Sequence, residues 1–333
     1  EFEVAGGKEA FFNVPNGSNV NLTFRPNAGY SLADVVLNGN SVRSQMPTDS
    51  TYVIQEVLEN MELIATFTSL PVEAYAALSN NNTVLTFYYD VFKKERNGMS
   101  IEPFSYITDT DGSYHPNNGW YRQRGNITNV VFDASFANCT SITSTAYWFI
   151  ECSKLTTITG LNNLKTENVT NMASMFECCT GLTDLNISSF STPKVKTMNK
   201  MFSQCNSLST LDLSNFKTES VTDMSSMFEE CNRLKELDLT SFDTKKVTTM
   251  EKMFKGCKNL NSLDLSTFET PEVTTMAYMF SECGLSELSI SNFDTKNVKD
   301  MTEMFSVCRY LKTLTLPEEI DTKKVNSMQK MFS

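Results

Sequence analysis

The chain has 333 residues, is 40% hydrophobic and carries a formal net charge of −11. That length suits two or three structural units with a real core. The acidic balance disfavours nucleic acid and anionic membrane surfaces as partners, and no apolar run is long enough to span a bilayer.

Residues 1–70 read as a small all-β module. Val20, Leu22 and Phe24 alternate, and Val35 and Leu37 run into Asn38-Gly39, a hairpin signal. Tyr52 and Ile54 follow, then Leu63, Ala65 and Phe67. Pro71 marks a boundary, and 71–130 reads as the lead-in that caps the C-terminal repeats. Within it, Tyr75 to Leu78 and Thr83 to Tyr89 flank a Ser79-Asn80-Asn81-Asn82 turn. Lys93 to Gly125 is a long polar loop with Tyr106, Tyr114, His115, Trp120 and Tyr121. Long loops are often functional. Its aromatics could stack on a sugar or anchor the loop to the cap. Asp109-x-Asp111-Gly112 looks like the start of a calcium loop, but the later acidic ligand is missing, which favours a plain Asp-Gly turn. His115 has no nucleophile or carboxylate at a meaningful spacing.

Residues 131–333 are repetitive. Val169, Val195, Val221, Val247, Val273, Val298 and Val325 follow one another at steps of 26, 26, 26, 26, 25 and 27 residues, a period that marks a stacked repeat. In one copy, Val221, Met224, Met227, Phe228 and Cys231 share the face of a short helix. Leu234, Leu237 and Leu239 then fit L-x-x-L-x-L, ending in strand alternation. Pro193 after Thr192 suits a Thr N-cap with Pro at the first helical position. Thr248 with Glu251 would instead make a capping box one step later. The two remain open. The fold class expected is α/β: a leucine-rich-repeat-type right-handed solenoid of parallel sheet plus short helices, preceded by a small all-β domain. One repeat cannot fold alone, so stacking must supply the rest.

Eight of the nine cysteines, Cys139, Cys152, Cys179, Cys205, Cys231, Cys257, Cys283 and Cys308, sit three residues after an aromatic. One repeat-equivalent position implies a column of buried free thiols acting as small hydrophobes, not a disulfide framework. With no Cys-x-x-Cys and no nearby His, zinc is not indicated. Cys178 lies off the column.

The M-F-x-x-C-x-x-L-x-x-L-D-L-S-x-F-x-T-x-x-V-T-x-M pattern resembles the 26-residue leucine-rich-type repeat of BspA-like bacterial surface proteins, over Phe132 to Ser333. Met227-Phe228 is one of seven matching cores. The stretch from Gly29, G-Y-S-L-A-D-V-V-L-N-G-N-S-V, and the closing E-L-I-A-T-F resemble divergent internalin-B-type repeats. The resemblance implies a non-catalytic, extracellular adhesion protein on a bacterial cell surface. Its partner would be a host extracellular protein or glycan. The chain starts at Glu1 without Met or signal peptide, which reads as a trimmed fragment of an anchored lipoprotein.

The residues between the leucines are expected to face solvent. Asp212, Asp238 and Asp264, with Glu236, would make an acidic, hydroxyl-rich surface with neighbours about 4.8 Å apart. Calcium along that row is conceivable, though about 0.9 kcal/mol of repulsion per neighbouring pair in water requires no metal. No cofactor is indicated. Candidate binding residues are thus Asp212, Asp238, Asp264, Glu236, Tyr114, Trp120 and Tyr121. Two rival readings stand beside adhesion. One is a structural spacer displaying another domain. The other is a glycan hydrolase, which needs two carboxylates in unlike environments, whereas these aspartates are repeat-equivalent.

Overall fold

The structure is a computed structural model and describes residues 2–4, 13–48, 50–101, 106–108 and 114–333, with backbone only at 2–4, 106–108, 114 and 115. It divides into one unit of Glu1–Glu73 with Asp90–Phe92 and another of Ala74–Tyr89 with Lys93–Ser333.

The first unit is built of strands. Ser18–Phe24 pairs antiparallel with Thr51–Val57 and parallel with Phe2–Val4. Tyr30–Leu37 pairs antiparallel with Leu63–Ser69 and with Asn40–Ser41. Asn38 and Gly39 join the latter pair with φ of 47° and 79°, the left-handed geometry that tight hairpin turns require. Alternating Val20, Leu22 and Phe24 bury against Leu32, Val35 and Val42.

In the second unit, Glu73–Ser79, Val84–Asp90 and Met99–Ser100 join Asn129–Phe132 and Thr157–Thr159 in one five-stranded sheet. Asn129–Phe132 runs parallel to both Val84–Asp90 and Thr157–Thr159, so the lead-in is hydrogen-bonded directly to the first repeats. Phe87, Phe132, Phe136, Trp148 and Phe149 bury together there.

From Ser144 onward the structure corrects the expected fold class. The α/β leucine-rich-type solenoid of parallel sheet plus short helices is overturned on both counts. Among the described residues there is no α-helix, only four short 3-10 turns, and the strands are divided among several small sheets. The stretch with helical spacing is a chain of turns. Phe228 N–H, which a helix would direct to residue 224, donates instead to Met253 O in the next repeat at 3.0 Å. Met224, Ser226 and Glu230 likewise donate to Thr249, Glu251 and Lys255. The intervening amides turn back three residues, Met227 to Met224 and Cys231 to Phe228. Ser226 and Glu230 hold φ of 54° and 58°, which no right-handed helix accommodates. An Asx turn, Ser225 N–H to Asp223 Oδ1 at 2.9 Å, opens the segment.

The regular backbone ladder also lies elsewhere than expected. It runs through V-T-x-M, where single parallel bridges link Ser144, Asn171, Thr197, Asp223, Thr249, Thr275, Asp300 and Ser327 in order. Along L-x-x-L-x-L, only Thr157–Thr159 with its neighbour and the pair Glu287–Ser289 and Thr313–Thr315 qualify as strands.

Side chains complete the ladder in three columns. Phe176, Phe202, Phe228, Phe254, Phe280, Phe305 and Phe332 stack with centroids 5.4–5.9 Å apart and near-parallel rings. The thiols are free and form a second column. They do more than fill space: from Cys179 to Cys308 each column thiol donates to the carbonyl of the aromatic one repeat earlier, as Cys231 does to Phe202 O and Cys257 to Phe228 O, both at 3.1 Å. The third column is threonine. Thr218 is buried, donates to Asp243 O at 2.8 Å and accepts from Asp243 N–H at 2.8 Å. Thr166, Thr192, Thr244 and Thr270 bracket the peptide of the following repeat in the same way.

Thr218→Val keeps the shape but strands a buried donor and acceptor, at a cost of about 1–3 kcal/mol. Thr218→Ser, which loses only a methyl group, should stay within about 1 kcal/mol of the parent. Urea unfolding of both variants measures the difference, and equal losses would show that the bracket contributes nothing of its own.

Burial pushes the column thiols up: Cys152 to about 12, and Cys179, Cys231, Cys257 and Cys283 well above the ordinary 9.0. Their contribution is fully present below pH 9. Above it the unfolded chain loses thiol protons that the folded chain keeps, so stability falls as pH rises. The slope is up to about 1.4 kcal/mol per pH unit for each buried thiol. Denaturant titrations at pH 7, 9 and 10 should show level stability and then a steep drop, made shallower by Cys231→Ala.

Candidate functional site

The L-x-x-L-x-L stretches divide cleanly by burial. Leu234, Leu237 and Leu239 are inside, while Glu236, Asp238 and Thr240 are exposed. Asp212 and Asp264 are exposed in the neighbouring repeats. Each aspartate closes an Asx turn onto the residue two positions on. Asp212 accepts from Ser214 N–H at 3.0 Å and Asp264 from Ser266 N–H at 2.8 Å. Asp238 accepts from Thr240 N–H at 3.0 Å and from the Thr240 hydroxyl at 2.7 Å.

These bonds favour the charged form and hold all three carboxyls below their ordinary value. At Asp212 and Asp264 the backbone N–H has the larger effect, and at Asp238 the hydroxyl does. The three therefore share one environment and one state. A general acid would need a raised pKa, and no member of the row has one.

The long loop behaves differently from its residue types. Trp120, a candidate stacking platform, is 1% exposed. Its indole N–H donates to Trp148 O at 2.7 Å, and its ring meets Phe87 edge-on at 5.6 Å. It is a core residue of the first repeats, which corrects its placement on a binding surface. Tyr121 is half-buried with Arg124 3.8 Å over its ring, and Arg124 Nε pairs with Glu151 at 2.8 Å. Burial, then Glu151, pushes its phenol up. Tyr114 and His115 lie in the strand Tyr114–Pro116, paired antiparallel with Tyr106–Thr108. Their side chains lie outside the described residues, as do Asp109, Asp111 and Gly112 in full.

Sequence reasoning missed a second long face. On either side of the buried valines, residues such as Lys194 and Lys196, or Lys246 and Thr248, point outward. The backbone here is continuous: Lys196 N–H donates to Thr170 O, Thr222 to Lys196, Thr248 to Thr222 and Thr274 to Thr248, all at 2.8 Å. Threonine hydroxyls run along it, Thr248 and Thr274 each donating to the preceding repeat's carbonyl at 3.0 Å. Alternation around each marker valine was the available signal, but the helical reading of that segment concealed it.

Two shallow recesses lie among the described residues. One, in the first unit, is lined by Asn21, Leu22, Thr23, Thr51, Tyr52 and Val53. The other is apolar, among Met276, Ile290, Phe293, Met301, Leu316 and Ile320. Neither is lined by a carboxylate, an amine, an imidazole or a thiol. No set of three or more His, Cys, Asp or Glu among the described residues could hold a metal ion, and no helix there is long and apolar enough to cross a membrane.

Trp120→Ala should destabilise the chain by about 3–5 kcal/mol, as loss of a buried aromatic does. Tyr121→Ala, on the half-exposed side, should cost far less. Thermal melts of the two test which residue belongs to the core.

No curated protein and no solved structure matches the chain. Residues 126–238 and 230–333, together more than half of it and containing all the stacked repeats, match the family described as Mycoplasma protein of unknown function, DUF285, and the chain belongs to that family.

Proposed function

We propose that the chain is a non-catalytic recognition protein of the bacterial cell surface, binding a host protein or glycan across extended faces of the repeat stack. The observation that carries this reading is the uniformity of the carboxylate row. Asp212, Asp238 and Asp264 are exposed, bonded alike and all held ionised. A catalytic centre requires unlike groups converging on one point with separated pKa values, whereas a row of like groups suits repeated weak contacts along a partner. The likeness of the repeat to those of BspA-like surface proteins supports the same class of function. The thiols point the same way: buried and pushed up, they are poor nucleophiles.

The test is a screen of the purified chain against extracellular-matrix proteins and glycans, run beside an Asp212→Asn, Asp238→Asn, Asp264→Asn variant. Binding by the parent that drops several-fold in the variant, with no turnover of any polysaccharide or peptide, is expected. Turnover that disappears in the variant would overturn the non-catalytic reading. Surface placement has its own check: protease added to intact cells should cleave the chain.

A further inference from the structure

The repeat stack carries two long faces of opposite net charge, and among the described residues the charges of neither are ion-paired. On the face flanking the marker valines stand Lys194, Lys196, Lys246, Lys299 and Lys324, with Glu272 the one acid among the corresponding positions. Lys194 and Lys324 reach only amide oxygens, Asn168 Oδ1 at 2.7 Å and Asn297 Oδ1 at 2.6 Å. Among the described residues, none of the five pairs with a carboxylate. The contrast is with the other edges of the stack, where Lys200 pairs with Glu177, Lys252 with Glu251, Lys255 with Glu229 and Lys258 with Glu282. On the leucine face stand Asp184, Asp212, Glu236, Asp238, Asp264 and Glu287, all exposed. Again, none has an ion pair among the described residues, and the two lysines between the leucines, Lys235 and Lys312, leave the face net acidic.

We propose that the lysine face of one copy of this chain takes the carboxylate face of a second copy, so that copies associate side by side. Charge complementarity is the first ground. The second is commensurate spacing. Both faces present one row of side chains per repeat of the same stack. The rise from row to row is therefore shared, and successive rows stay matched along the contact. A polyanion brings its own spacing and has no such match. The bonded threonines between the lysines keep that face flat, and the leucine face presents short hydroxyl side chains beside its carboxylates. Because the two faces differ, the contact is heterologous and a dimer leaves one face of each kind unsatisfied, so further copies add. Such a contact propagates beyond the dimer, into a ring where the rotation between copies closes and into an open lateral array where it does not. Exposed ion pairs are individually weak and screened by salt, so the association is weak per row, cumulative over the rows and lost at high ionic strength. It needs no external ligand, and because it uses the same carboxylate row as the proposed recognition face, a second copy and a recognised partner compete for that row.

The experiment is sedimentation of the full 333-residue chain over a concentration series, at ionic strengths of about 0.02 M and about 0.5 M. The expected result is a weight-average mass that climbs beyond the dimer at low salt and returns to the monomer at high salt. Two charge-reversed variants are run beside it: Lys194→Glu with Lys196→Glu and Lys246→Glu, and Asp212→Lys with Asp238→Lys and Asp264→Lys. Each alone should remain monomeric at low salt, since both of its faces then carry the same sign, and an equimolar mixture should associate. Unchanged circular dichroism and melting confirm that each is folded. A replacement that fails to fold gives way to the milder Lys→Gln or Asp→Asn set, which should lower the low-salt mass. A parent that stays monomeric at every concentration overturns the proposal, as do variants that associate like the parent. A monomeric parent that binds a soluble sulfated polysaccharide through the same lysines would assign that face to a polyanion instead.

Discussion

The structure depends on handing backbone hydrogen bonds from one repeat to the next. In Met224 to Glu230, every second amide leaves its own repeat for a carbonyl in the following one. The buried polar backbone must be paired, and here the partner is a neighbouring copy, not the same segment four residues away. Everything else in the stack serves that exchange. Thr218 supplies a donor and an acceptor to the peptide at Asp243, and Cys231 supplies a donor to Phe202 O. The phenylalanine column fills the space that the exchange leaves at the centre. The five-stranded sheet at the N-terminal side extends the principle, since Asn129–Phe132 bonds to Val84–Asp90 on one side and Thr157–Thr159 on the other.

The period, the extent of the stack and the identity of its buried residues were all legible in the sequence, because burial repeats every 26 residues or so and alternates sharply within L-x-x-L-x-L. The local conformation was not. Val221, Met224, Met227, Phe228 and Cys231 are all buried, as the helical spacing requires, yet the segment is not helical. Periodicity reports which side chains point inward. It does not report whether an amide bonds four residues back, three residues back or across to another repeat. The residues that decide the matter are Ser226 and Glu230 in the left-handed region, and serine and glutamate carry no mark of it. Only Gly256, at the position equivalent to Glu230, shows a glycine there, at φ 72°. Trp120 was misplaced for a related reason. A tryptophan in a polar loop suggests a platform, but its neighbours Phe87 and Trp148 are distant in sequence and only the fold brings them together.

Repetition also limits what the surface can do. Near-identical units produce near-identical environments, so titratable groups come in rows with like charge states. Neighbouring aspartates repel mildly in water, and each is held ionised by its own turn. Such a surface gains affinity by summing weak contacts along its length. It gains specificity by register, a property the spacing of the repeat sets and single residues do not.

The left-handed residues place a further constraint on how the stack holds together. For an L-residue that conformation costs about 1–2 kcal/mol, and most repeats contain two, as at Lys200 with Gln204 and Tyr278 with Glu282. Val307, at φ 55°, is the least suited of them, because its β-branch crowds the backbone. The local conformation is therefore unfavourable by itself and persists only where the neighbouring repeat accepts its amides. Lys200 N–H bonds to Ser225 O, Gln204 to Glu229 O and Val307 to Ser333 O. A repeat separated from its neighbour keeps the strain and loses the bonds that offset it. Interface terms, not intrinsic repeat stability, then dominate the energetics of the stack. A core lesion such as loss of the Thr218 bracket should accordingly be felt in the repeats on both sides of it and not in its own repeat alone.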